Sequence, residues 1–123
     1  MPKTITIQNK NRMILGTLHV KYCDTFLTQL RGFTFRSGIA HEEGLLLVGK
    51  RDSRLDSSIH MLFVPFDLSV IWINADLRVV DKVLAKAWRP AYFPKGPAKY
   101  VLEIHPGRWG DFEIGDGVEF KDG

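Results

Sequence analysis

Residues 59–74 read IHMLFVPFDLSVIWIN, and this run limits the fold more than any other feature of the chain. A helix that spans a bilayer needs about 20 consecutive apolar residues. This stretch is shorter, and His60, Pro65, Asp67 and Ser69 interrupt it, so a membrane span is excluded. Proline has no N–H for a strand ladder and is confined to edges, strand starts and turns. Pro65 therefore splits the run into two strands, SIHMLF and DLSVIWI, or one strand bent at the proline. Both readings make it the centre of a β core.

The rest of the chain repeats the same grammar. TITI at 4–7 alternates in β-branched residues, QNKNR is a polar turn, and MILGTLHV at 13–20 reads as the returning strand of a hairpin. Asp24 is placed to cap a short helix over 25–33, where Phe26, Leu27 and Leu30 fall at helical spacing and Gly32 is a stop. LLLV at 45–48 is a short buried strand. The charged stretch 49–58 is a surface loop, and NADLR at 74–78 is a turn. A strand begins at Val79 and runs toward Trp88. RPAYFPKGP at 89–97 holds three of the six prolines and is an irregular loop. AKYVLEIH at 98–105 is a strand, PGRWGDFE a turn or short helix, and IGDGVEF a last strand entered through a Gly-Asp-Gly turn. Many short strands with close turns predict a mainly β (α+β) domain. The form is a small barrel or a two-layer sheet, with one short helix after the N-terminal hairpin. A length of 123 residues fits a single domain over the whole chain.

Composition adds the compartment and the class of partner. The single cysteine, Cys23, rules out an intrachain disulfide and fits a reducing, cytoplasmic setting. No signal peptide is readable in MPKTITIQNKNR. The net charge of +3 is uneven. Residues 1–36 carry six Lys/Arg against Asp24 alone, whereas residues 110–123 carry Lys121 against five acidic side chains. A basic body with an acidic tail either attracts an anionic partner or folds so that the tail neutralises a basic face.

The order of short motifs carries a resemblance. LRGFTFR, EEGLLLV, SIHM, DLSVIWIN leading into VVDKV, and AKYVLEIHPG followed by GDGVEF resemble the domain of unknown function 192, a group of small prokaryotic proteins. The resemblance covers about residues 20–121. Its most specific part runs from Ala98 to Gly107 and from Gly115 to Phe120. The chain also departs from the pattern. Where many members read Pro-Leu-Asp, it reads Asp67-Leu68-Ser69, and of the members' Phe-Trp-Met-Lys-Asn-Thr string it keeps only Met61. The resemblance implies a compact β-rich domain and no settled activity.

Candidate sites each admit two readings. His60 shares a strand face with Leu62 and Val64 by period-2 counting, so it is either a core histidine bonded to backbone or an acid–base group working with Asp67 or Glu103. Glu103 either makes a structural ion pair with an arginine such as Arg31, or it belongs to a carboxylate–arginine ligand site. Tyr92 and Phe93 beside Lys95, and Trp109 after HPGR, either fold over the core edge or stack on a ligand. Arg31 and Arg36 flank GFTF. With Lys82, Lys86, Arg89 and Lys95 they would make the basic face of a nucleic-acid binder. His19, His41, His60 and His105 are too scattered for a zinc motif, so no metal and no cofactor are expected. The leading expectation is a non-catalytic binding or interaction module whose groove is lined by the 49–58 and 89–97 loops. Its partner would be a small anionic ligand or a protein. A hydrolase using His60 with Asp67 or Glu103, and a nucleic-acid binder, are the alternatives.

Overall fold

The computed structural model of the chain describes residues 3–14, 16–24, 38–62 and 64–122. Among these residues seven strands follow one another: β1 (Thr4–Asn9), β2 (Leu18–Cys23), β3 (Glu43–Ser53), β4 (Leu68–Ile73), β5 (Val79–Ala85), β6 (Ala98–Ile104) and β7 (Val118–Asp122). A 3-10 helix, Pro106–Asp111, joins β6 to β7. The strands form one sheet in the order β5-β4-β6-β3-β2-β1-β7. All neighbours are antiparallel except β2 and β3, which run parallel.

The sheet is mainly β, as the sequence implies, but it is not closed into a barrel: β5 and β7 are its edges. They meet through a non-strand segment. Arg78 and Gly117 form an isolated bridge. Val79 N–H donates to Asp116 O, Gly115 N–H to Val79 O, and Val118 N–H to Leu77 O. The opening left in the sheet is thus filled by residues 105–117. The helix expected over 25–33 lies outside the described residues.

Each face of the sheet has its own core. The inner face carries Ile5, Ile7, Leu18, Val20, Leu46, Ile71, Ile73, Leu102 and Ile104, sealed by Phe112 from the segment that fills the opening. The outer face carries Leu45, Leu68, Val70, Trp72 and Val101. Ile59, Met61, Val64 and Tyr92 cover it from two loops. Burial of a large apolar side chain contributes about 1.5–3 kcal/mol, so both layers matter to stability. β1 shows the one-sided case: Ile5 and Ile7 point in, while Thr4 and Thr6 do not. β4 is buried at all six positions because it has a core on each side, which is why LSVIWI is apolar at every position but Ser69 rather than alternating.

Three expectations change. Residues 59–62 and 64 are not in a strand: among them only Ile59 makes a bridge, to Tyr92. Pro65 ends an irregular segment in which Val64 N–H turns back to Met61 O. β3 runs on to Ser53 through a register shift between Val48 and Ser53, so much of the charged 49–58 loop is strand. β2 begins only at Leu18, with Gly16 at φ 76° before it.

Candidate functional site

The two loops that cover the outer face are tied into one surface. Ile59 and Tyr92 exchange both backbone hydrogen bonds, at 3.0 and 2.8 Å. Met61 N–H donates to Arg89 O at 2.8 Å, and Trp88 N–H to Met61 O at 3.0 Å. Arg54 Nε donates to Pro94 O at 3.0 Å. The Tyr92 hydroxyl accepts from Lys86 N–H at 2.8 Å, and Trp72 Nε1 reaches through the layer to Ser57 O at 2.7 Å. Ile59, Met61 and Tyr92 face the core, while Leu55, Leu62, Trp88 and Phe93 turn outward.

What they present is basic and apolar together. Trp88 is 54% exposed and Phe93 55%, and Leu55 and Leu62 are also exposed. Arg51, Arg54, Lys86, Arg89 and Lys95 are exposed on the same segments. Two of the nearby acids are occupied by backbone: Asp52 accepts from Ala75 N–H at 2.8 Å. Asp67 accepts from Ala87 N–H at 2.9 Å and lies 3.5 Å from Lys86 Nζ. Trp88 holds φ 66°, a conformation bulky side chains rarely adopt. Its N–H is spent on Met61 O and Val64 O, which fixes the turn.

The sequence-derived candidates divide accordingly. Tyr92, Phe93 and Lys95 lie on this surface, and the exposed His60 adjoins it. Tyr92 is a structural pin, and Lys95 N–H is held by Asp81 Oδ2 at 2.9 Å. Trp109 belongs elsewhere: it sits in the sheet opening with Lys82 Nζ 4.1 Å above its ring. That lysine also pairs with Glu113 at 2.6 Å, so Lys82 is part of a packed contact rather than an open basic face. Arg31 and Arg36 lie outside the described residues.

No hydrogen bond or ion pair joins His60 to Asp67 or Glu103 among the described residues. Glu103 lies instead near the C-terminal end of β6 on the outer face, 7% exposed, with Leu45 and Val70 as its cross-strand partners. Burial pushes its carboxyl up to about 7. Burial, and then the charge of Glu103, pushes the Cys23 thiol up as well. Among the described residues no group of three or more His, Cys, Asp and Glu side chains is placed to hold a metal ion, and no helix is long and apolar enough to cross a membrane.

The acidic tail folds back on basic side chains. Asp116 takes Arg12 at 2.6 Å, Glu113 takes Lys82 at 2.6 Å, and Asp122 lies 3.7 Å from Lys3. Sequence reasoning missed Arg108, which is buried and bonds Asp111 Oδ2 at 2.8 Å, His41 O at 2.9 Å and Gly16 O at 2.9 Å. The one available signal was an aspartate three residues after an arginine in a glycine-bearing turn.

Comparison with known proteins agrees with this architecture. The family model for the domain of unknown function 192, described as "Uncharacterized ACR", matches residues 5–121, which takes in β1 as well. A UPF0127 protein of Thermococcus gammatolerans is 42% identical over 111 residues, covering 89% of this chain and 69% of that protein. A UPF0127 protein of Thermococcus kodakarensis is 39% identical; the match spans 80% of this chain and 60% of that protein's length. A crystal structure of a protein of unknown function from Novosphingobium aromaticivorans superposes with a TM-score of 0.76 at 24% identity, over 94% of this chain and 83% of that one. A putative transcription regulator from Sinorhizobium meliloti superposes with a TM-score of 0.80 at 15% identity, over 98% of this chain and 94% of that one. These two similarities concern the fold alone.

Proposed function

We propose a binding role for this chain, which belongs to the domain of unknown function 192 family. In this reading it is a one-domain, non-catalytic interaction module. Its contact surface is the joined pair of loops 54–62 and 86–97, and its partner is anionic, either a small ligand or an acidic protein segment. The observation that carries the reading is the backbone ladder from Ile59–Tyr92 to Met61–Arg89. It holds Trp88 and Phe93 outward among Arg54, Arg89 and Lys95 on a surface that is fixed before any partner arrives. Preorganised aromatic and guanidinium groups lose little entropy on binding and are typical anchors of interfaces. The acid–base alternative lacks support, because His60 has no carboxylate partner among the described residues. A reducing, cytoplasmic location is inferred from Cys23, the single cysteine of the sequence, which leaves none for an intrachain disulfide.

The test is an NMR titration of backbone amides with small anionic metabolites, an acidic peptide and a mixed single-stranded oligonucleotide. The binding reading expects saturable shifts clustered in 54–62 and 86–97 that disappear in a Trp88→Ala/Phe93→Ala double variant. Shifts confined to other surfaces, or none with any anion, overturn it. Selective oligonucleotide binding that weakens steeply with salt would assign the same surface to nucleic acid instead.

A further inference from the structure

We propose that the joined loops 54–62 and 86–97 dock on the surface of an anionic bilayer. Trp88, Phe93, Leu55 and Leu62 enter the headgroup boundary, and Arg54, Arg89 and Lys95 meet lipid phosphates. The proposal rests on the contact-surface reading above and makes its small anionic ligand a phospholipid headgroup. The hydrogen bonds between the loops place the apolar side chains. Arg54 Nε on Pro94 O brings Leu55, 73% exposed, to the end of the surface where Phe93 stands. Trp88 N–H on Met61 O brings the exposed Leu62 to the end where Trp88 stands. The Ile59–Tyr92 bridge lies between. Two apolar pairs thus project from the two ends of one ladder. The same loops carry Arg54, Lys86, Arg89 and Lys95 against Asp56 alone, and all five of these side chains are exposed.

Large apolar side chains gathered on a surface mark contact with something apolar, and the basic side chains among them select what that is. A second copy of the chain would set like charges face to face, which is unfavourable. A soluble anion answers the charges but leaves the two apolar pairs in water. An anionic bilayer answers both. Leucine and aromatic side chains lie at the boundary between headgroups and acyl chains, where tryptophan is enriched. Each lysine or arginine near an anionic membrane surface strengthens binding about fivefold. The backbone agrees. Trp88 holds φ 66°, a costly conformation for a bulky residue, and its N–H is tied to Met61 O and Val64 O. This strain is maintained at a residue whose indole is left in solvent, where it contributes little to the core. The acid beside the loops, Asp67, is turned to Ala87 N–H and Lys86, so Asp56 is the carboxylate that a docked membrane has to tolerate. The contact is peripheral, because no helix among the described residues is long and apolar enough to cross a membrane.

The experiment is sedimentation of the full chain with vesicles of phosphatidylglycerol mixed with phosphatidylcholine, and with vesicles of phosphatidylcholine alone, while tryptophan emission is followed. Binding to the anionic vesicles that weakens with salt, with a blue shift of the emission, is expected. Arg89→Gln/Lys95→Gln should weaken that binding about thirtyfold. Lys10→Gln/Lys121→Gln removes the same charge from the turn after β1 and from β7 and should leave binding unchanged. Trp88→Ala/Phe93→Ala should abolish the blue shift. If that variant does not fold, the two charge variants decide. Equal binding to both kinds of vesicle, no binding to the anionic ones, or equal losses in the two charge variants overturns the proposal. Glycerol phosphate separates a headgroup from a free anion. Saturable amide shifts in 54–62 and 86–97 with glycerol phosphate or an acidic peptide, without vesicle binding, keep the contact surface and remove the bilayer. Vesicle binding with the blue shift assigns the headgroup.

Discussion

Arg12 and Asp116 face each other in a two-point ion pair, with Nε 2.6 Å from Oδ2 and Nη2 3.0 Å from Oδ1. The same carboxylate accepts from Asn9 Nδ2 at 2.8 Å and from Glu113 N–H at 2.9 Å. One aspartate thus gathers the turn after β1 and the turn before β7. Arg12 holds its carboxyl far below the usual carboxylate range.

Asp116→Asn should therefore destabilise the fold by about 2 kcal/mol at neutral pH. The sign follows from the depressed folded-state value. The contribution is fully present above the ordinary carboxylate value of 3.8 and is lost as pH falls below it. Urea midpoints measured between pH 7 and pH 2 should show wild type and variant converging in acid. A constant gap at all pH values would contradict this.

Glu103 should behave in the opposite sense. Its carboxyl is raised from 4.5 to about 7 by burial, so the folded state holds the proton more tightly than the unfolded chain. Stability is highest below about pH 4.5 and declines as pH rises toward 7. The raised value corresponds to about 3 kcal/mol. Glu103→Gln removes the titration, so its stability relative to wild type should climb between pH 4.5 and 8. Parallel pH profiles would show that burial does not shift this carboxyl.

Arg108 offers a buried test. Arg108→Met takes donors from Asp111, His41 O and Gly16 O and leaves acceptors in a dry site. A loss of about 3–5 kcal/mol is expected. The double variant Arg108→Met/Asp111→Leu should recover part of it, because an apolar pair of similar volume removes the uncompensated charge. Calorimetric unfolding of the two variants checks the order.

Gly44 is needed for closeness rather than for flexibility. A Cβ there would lie 2.8 Å from Glu103 O and 2.8 Å from Ile104 Cγ2. Gly44→Ala must push β3 and β6 apart and should cost about 1–3 kcal/mol. Hydrogen exchange should speed up along that strand pair before it does along β4–β5. Uniform protection would show that the clash is absorbed elsewhere.

The strands that the sequence revealed are those with a core on one side or on both. β1 alternates because only Ile5 and Ile7 reach the interior. DLSVIWI was legible because β4 is buried on each face. The run before Pro65 misled because Ile59, Met61 and Val64 are as apolar as strand residues while serving a loop that covers the sheet. Apolar content reports burial, and burial here does not require a ladder. The same confusion hid the end of β3: Lys50, Arg51 and Asp52 are exposed, although they lie within the strand. The loop surface was half legible. Tyr92, Phe93 and Lys95 stood out by composition, but Leu55, Leu62 and Trp88 become surface residues only once the Met61–Arg89 contact turns them outward. Glu103 could be named from the sequence, whereas its burial between Leu45 and Val70 needs the register of three strands.

The segment that fills the gap between β5 and β7 also sets when the domain can be finished. Asn9 and Arg12 reach their partner at Asp116 across 107 and 104 residues. β5 is joined to the same turn through Val79. Contacts of this separation carry a large loop-closure cost and slow the search for the native state. During synthesis the two-sided strand β4 and its hairpin partner β5 can pair early, while the interior behind them stays wet until Phe112 and the turn at Asp116 arrive. A ribosome-bound chain stopped short of that turn should present the inner face of its sheet to solvent, and so to chaperones.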